Sequence, residues 1–420
     1  MTSELTESQI EVYSYRWVII AVFAVINIVV QLQWLSFAPI AKAAQSVYGV
    51  SALQIDFFSL IYLAVFVIFC IPASYVIDTF GIRIGIGIGA ALAGIFGLMK
   101  GLFATDYIMV CIAQTGLALS QPFIINSTTK VAVRWFPITE RATAGGIGLL
   151  AQFLGMIVAM IVTPHLISED AQGVYSLSKM LMTYGIITAV GAVILLVFLR
   201  EKPPTPPCLE GQYERFKVFE GLRHMLKNRD MIFLIMVFFL GLGMFNAITT
   251  CINQICKLRG LNFEQTGLVG GMMLISGVLG SIVFPLISDK LRKRKAVFLF
   301  TGICSIPGLI GLTLAGQYWA MLTSSFSMGF FFLGGAPILF QFSAEINAPA
   351  PESTSQGLLM LAGQIGGILF VIGMNGLGMI PAMYVFIFFS FINTILFLLM
   401  RESKMIQSDQ TGTMAVRTQA

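Results

Sequence analysis

Asp78-Thr-Phe-Gly-Ile-Arg83 has a counterpart in Asp289-Lys-Leu-Arg-Lys-Arg294, 211 residues further along a chain of 420. Each follows an apolar run that contains a proline, Pro72 in one and Pro285 in the other. The same offset carries Trp34 onto Phe245 and brings Gln152 to within one residue of Gln364. A chain that repeats itself at half its length is a duplication, and composition says of what. Apolar residues make up 57% and charged residues 11%, too little polar surface to solvate a globule of this size.

Crossing about 30 Å of hydrocarbon takes about 20 apolar residues at 1.5 Å each. Twelve such windows run through 17–41, 55–77, 83–102, 107–129, 142–165, 179–199, 231–255, 264–288, 296–314, 318–342, 355–378 and 380–400. The expected fold is an all-α membrane protein, twelve transmembrane helices in two pseudo-symmetric six-helix bundles, the major facilitator architecture. Parallel repeats of that kind hold substrate near the midplane between the halves. Residues 1–199 form the first bundle, 200–230 a cytoplasmic linker, 231–400 the second bundle and 401–420 a cytoplasmic tail.

An even number of spans puts both termini on one side. On that topology 20 of the 25 Lys and Arg residues share the side of the termini, while Lys42, Lys100, Lys179, Lys257 and Arg259 lie opposite. The termini are therefore expected in the cytoplasm, in an inner or plasma membrane. The net charge of +5 reflects this orientation, and nucleic acid is excluded as a partner because the basic residues never interleave with aromatics on a soluble domain. The acidic first residues do not resemble a cleaved signal, so the first span is expected to stay as an anchor. In the linker, Glu201-Lys-Pro-Pro-Thr-Pro-Pro207 precedes an amphipathic helical pattern from Tyr213 to Lys227 that suits the headgroup layer. The six cysteines lack metal-ligand spacing and read as buried thiols; no metal or cofactor is expected, and the chain is expected to be monomeric.

The two repeated loops resemble the cytoplasmic loop signature of the major facilitator superfamily. An Asp at a helix end and an Arg five residues on can pair with charges and helix ends, so Asp78, Arg83, Asp289 and Arg294, with Glu345, are expected to gate. Amides in the spans point to the site itself. Gln31, Gln33, Gln114, Gln121, Gln152, Asn246, Asn253 and Gln364 cost free energy in hydrocarbon unless they meet each other or a watery cavity. Asp56, Lys100, His165 and Glu345 all fall near span ends, leaving no deep carboxylate or histidine as a proton relay. That favours a uniporter, or coupling through an ion held by neutral oxygens, over a proton symporter, with Glu345 and His165 keeping the question open. No nucleophile–base pair is visible, so no catalytic residue is assigned.

From Tyr15-Arg-Trp17 and Gln33-Trp34, through Ile55-Asp-Phe-Phe-Ser-Leu-Ile-Tyr62, Pro72-Ala-Ser-Tyr-Val-Ile-Asp-Thr79 and Arg134-Trp-Phe136, the chain resembles the feline leukaemia virus subgroup C receptor-related transporters. Ala247-Ile-Thr-Thr-Cys-Ile-Asn-Gln254, Phe342-Ser-Ala-Glu345 and Glu352-Ser-Thr-Ser-Gln-Gly-Leu-Leu359 continue the likeness. That family is associated with movement of choline, ethanolamine and haem. The resemblance implies a central site at Trp34, Tyr62, Gln121 and Gln364, where aromatic faces hold an organic cation at about 0.5–2 kcal/mol per ring. Gln152 and Asn246 join it as further cavity amides. The expected function is an alternating-access, facilitative carrier of choline- or ethanolamine-like cations.

Departures from the family shape that expectation. Asn246 stands where relatives carry Tyr, the aromatic of the tenth span is replaced near Gly335-Ala336, and Gln341 replaces a Glu. Lost cage walls favour a smaller, hydrogen-bonding amine such as ethanolamine. The alternative is a carrier of another small polar or anionic metabolite, or of haem, on the same scaffold, with ion coupling left open. Trp34 also keeps an alternative reading as an interfacial anchor, and Tyr62 one as packing.

Overall fold

The computed structural model describes residues 13–137, 140–169, 175–205, 225–291, 293–347 and 352–401. The predicted linker helix falls almost wholly outside the described residues. Among the described residues twelve helical stretches are long and apolar enough to cross a membrane, which makes the chain an integral multi-pass membrane protein. It divides into two compact units, Met1–Arg215 and Phe216–Ala420.

In the first unit α1 (Arg16–Leu35) is followed by a 3₁₀ turn at Ala38–Ile40 and α2 (Ala41–Tyr48). Pro39 explains the break, because it has no N–H for the Leu35 carbonyl and its ring clashes with the preceding turn. Then come α3 (Ala52–Phe80), α4 (Ile82–Leu102), α5 (Tyr107–Ile125), α6 (Thr128–Trp135), α7 (Arg141–Leu166) and α8 (Ser178–Phe198). Between α7 and α8, β1 (Ser168–Glu169) pairs antiparallel with β2 (Tyr175–Ser176). Starts are locally encoded. Ser51 and Gln54 form a reciprocal capping box at α3, and the Asp106 carboxylate accepts the Ile108 and Met109 N–H groups at α5. Neither the α1 break, α6 nor the hairpin was expected, since each is too short or too polar to register as a span.

The second unit holds α9 (Arg229–Thr250), α10 (Ile252–Lys257), α11 (Phe263–Leu291), α12 (Arg294–Leu314), α13 (Tyr318–Asn347), α14 (Glu352–Leu377) and α15 (Met379–Leu399). Its first span also breaks, at Cys251, and resumes as a short helix. The helix pairs that pack most extensively match between units. In the first they are α4–α8, α1–α7, α4–α5, α3–α5 and α1–α8; in the second, α12–α15, α9–α14, α12–α13, α11–α13 and α9–α15. The duplication read from two loops is thus present in the packing.

Candidate substrate site

Trp34 sits in the last turn of α1, only 6% exposed, and its indole N–H donates to the Ser59 carbonyl of α3 at 3.2 Å. That bond fixes the ring plane and uses its single donor. One turn along α3 from Ser59, Tyr62 is fully buried, and its hydroxyl has no hydrogen-bond partner among the described residues. One turn before Trp34 on the same face of α1, Gln31 joins two further helices. Its carbonyl accepts from the Gln121 amide of α5 and its own amide donates to Gln152 of α7, both at 3.4 Å. Trp34, Gln121 and Gln152 therefore gather around one α1 face, with Gln31 at the centre.

In the second unit the Asn246 amide of α9 donates to the Gln364 carbonyl of α14 at 3.2 Å, both side chains buried. Around them the equivalent positions are apolar. Trp34 and Gln121 correspond to Phe245 and Phe332, whose rings stack with centroids 6.5 Å apart, and Tyr62 corresponds to Met273. Thr249 turns its hydroxyl back onto the Phe245 and Asn246 carbonyls. Thr250 leaves a buried hydroxyl without a protein partner among the described residues.

One buried ion was missed by the sequence reading. Lys100, expected near a span end, is 0% exposed. Its ammonium donates to the Gln33 side-chain carbonyl and the Ser36 hydroxyl, each at 2.9 Å, and to the Gln33 backbone carbonyl at 3.4 Å. It also stands 4.8 Å from the centroid of Phe37, a ring stacked on Phe58. Gln33 further donates to Thr188 of α8 at 3.0 Å. A terminal lysine usually snorkels to water, so only its place inside the 83–102 window hinted otherwise.

The Asp of the loop after α3 finds its partner on a neighbouring helix. Lys130 of α6 takes the Asp78 carboxylate at 2.7 Å together with the Ile77 carbonyl, while Arg83 keeps an exposed side chain. Glu201, just beyond α8, fills the start of α4. Its carboxylate accepts the Arg83 backbone N–H at 2.7 Å, pairs with Arg134 at 3.4 Å and lies where a Cβ on Gly81 would be, at a φ of 93° that favours glycine. In the second unit Arg294 pairs with Asp289 of its own loop and with Glu345 at 3.2 Å. Gln341 donates to that same Glu345 carboxylate.

Two six-span units with matched packing and uncharged amide clusters buried inside each define a membrane transporter. The chain belongs to the Major Facilitator Superfamily, whose family model matches residues 23–371. It is 29% identical over 88% of its length to an uncharacterized MFS-type transporter of Caenorhabditis elegans, and spans 66% of that protein. It is 27% identical to the choline/ethanolamine transporter flvcr2b of Danio rerio, covering 87% of this chain and 79% of the relative. The human choline/ethanolamine transporter FLVCR2 is 26% identical, over 87% and 72%. The fold matches the crystal structure of a bacterial homologue of the human lysosomal transporter Spinster, with a TM-score of 0.72 at 15% identity over 93% of this chain and 97% of that one. A D-xylose–proton symporter gives 0.70 at 13% identity, over 92% and 97%.

Proposed function

We propose that this chain is an alternating-access, facilitative carrier of choline- or ethanolamine-like organic cations, acting as a monomer with both termini in the cytoplasm. The observation that carries the reading is Trp34. Its only donor is occupied by Ser59, so what it offers a ligand is the ring face, which attracts a cation and has nothing to give an anion. Gln121, Gln152 and Tyr62 supply neutral oxygens in the same unit, and Asn246 and Gln364 supply them in the other. Asn246 in place of an aromatic favours a primary ammonium, which donates hydrogen bonds, over a quaternary one. Asp78, Arg83, Asp289, Arg294 and Glu345 act as gating groups. The names of the relatives support the substrate class. A second reading, a small hydroxylated or anionic metabolite, draws on the amides, which donate as readily as they accept.

The test is uptake of labelled choline and ethanolamine by vesicles reconstituted with the full chain, with and without imposed pH and Na⁺ gradients. Downhill, gradient-independent uptake of either amine, with KM raised in Trp34→Ala by about ten-fold, is expected. Uptake of neither overturns the substrate class, and dependence on a gradient overturns uniport.

A further inference from the structure

A lysine held in the spans by neutral groups is costly to bury, and such residues mark function more often than packing. The acceptors of Lys100 identify what it acts on. The Gln33 carbonyl belongs to the peptide bond that leads into Trp34. It is one of the carbonyls that the end of α1 leaves without an intrahelical partner. Three groups converge on it: the Ser36 hydroxyl at 2.9 Å, the Gln114 amide at 3.3 Å and the Lys100 ammonium at 3.4 Å. Gln114 also donates to the Phe58 carbonyl at 3.0 Å, one residue before the Ser59 carbonyl that accepts the Trp34 indole. The peptide that leads into Trp34, and the turn of α3 that it leans on, are thus held by one cluster drawn from α1, α4 and α5.

We infer that Lys100 is a positioning residue for Trp34: a cation seated at the broken end of α1 that fixes the angle at which the indole face meets an organic cation. The inference rests on Trp34 as a substrate group but adds a residue that does not touch the ligand. Its charge suits the negative end of the α1 dipole, and the neutral shell keeps that charge from being cancelled by a carboxylate. Lys100 also accounts for why the break at Pro39 does not leave the last turn of α1 to fray.

The experiment uses the full chain with Trp17, Trp135 and Trp319 changed to Phe, so that emission reports Trp34 alone. Lys100→Met keeps the length and removes the charge; Ser36→Ala keeps the charge and removes one acceptor. The expected result for Lys100→Met is red-shifted Trp34 emission, greater acrylamide quenching and KM for amine uptake raised by about ten-fold, with the maximal rate little changed. Ser36→Ala should move each in the same direction by less, and exposed Lys42→Met should move none. Folded Lys100→Met with unaltered emission and quenching overturns the inference. If that variant does not fold, unaltered emission in Ser36→Ala overturns it instead. Absence of choline and ethanolamine uptake in the parent would sink the substrate proposal, while the emission readout still decides the role of Lys100.

Discussion

The two units share a scaffold and fill it differently. In the first, the α3–α5 contact is made partly by polar groups, the Asn126 amide donating to the Cys70 carbonyl and the Ser74 hydroxyl. In the second, the equivalent α11–α13 contact is backbone against backbone: a Cβ placed on Gly280 would run into the Phe330 carbonyl. The same divergence appears inside, where Trp34 donates to the Ser59 carbonyl and Gln121 to Gln31, while their equivalents Phe245 and Phe332 stack on each other. Duplication fixed which helices touch, and later substitution decided with what chemistry. At this helix contact the first unit is joined partly by polar groups and the second by close backbone approach.

The largest expected effect tests the packing half of this contrast. Gly280→Val must push α11 and α13 apart, since a backbone carbonyl cannot rotate away as a side chain can. Overpacking of this kind costs about 1–3 kcal/mol and more where backbone must move. Loss of monodisperse protein on size-exclusion chromatography is the expected outcome. The equivalent position in the first unit is Phe69, which is partly exposed, and Phe69→Val should change the melting temperature little. Equal damage from both would erase the distinction.

The ion pairs give a second, intermediate test. Arg294 is 12% exposed and holds Glu345, itself 9% exposed, whereas Lys130 holds an Asp78 that is 70% exposed. Arg294→Met leaves a largely buried carboxylate with only the Gln341 amide as partner, at a cost of about 1–3 kcal/mol. Lys130→Met exposes a carboxylate already in water, at a cost of about 0–1 kcal/mol. Thermal melting of both variants in detergent separates these values. Melting shifts of similar size would mean that the two loops carry equal weight, contrary to their burial.

What sequence could reveal follows the same physics. Spans were legible because bilayer thickness demands an apolar length that little else in a protein requires, and the Asp–Arg loops because the repeat marked them. Lys100 was not, because a lysine two residues from the end of α4 looks the same whether it snorkels out or folds in. The partner of Asp78 was hidden for another reason. Lys130 comes from α6, an eight-residue helix too short to announce itself as a neighbour of α3. Asn246 and Gln364 lie 118 residues apart and were singled out separately; only packing of α9 on α14 joins them.

The smallest expected effect concerns the amides, and it asks whether the two polar clusters are alike after all. Gln31 is the middle of a three-membered chain, giving to Gln152 and taking from Gln121, so Gln31→Leu leaves two amides short of a partner. Asn246→Leu leaves only Gln364. At 3.4 Å the bonds in the first unit are near the limit of useful hydrogen bonding, against 3.2 Å in the second. Each is therefore worth about 1 kcal/mol or less, and neither variant should unfold. The difference should appear in uptake, where Gln31→Leu frees both Gln121 and Gln152 to turn and raises KM a few-fold. Asn246→Leu should act on selectivity instead, shifting the ratio of ethanolamine to choline uptake toward choline by removing a hydrogen-bonding group that a quaternary ammonium cannot use. If both variants alter KM alike and leave the ratio untouched, the two units bind substrate through interchangeable amides, and the division of roles between them is gone.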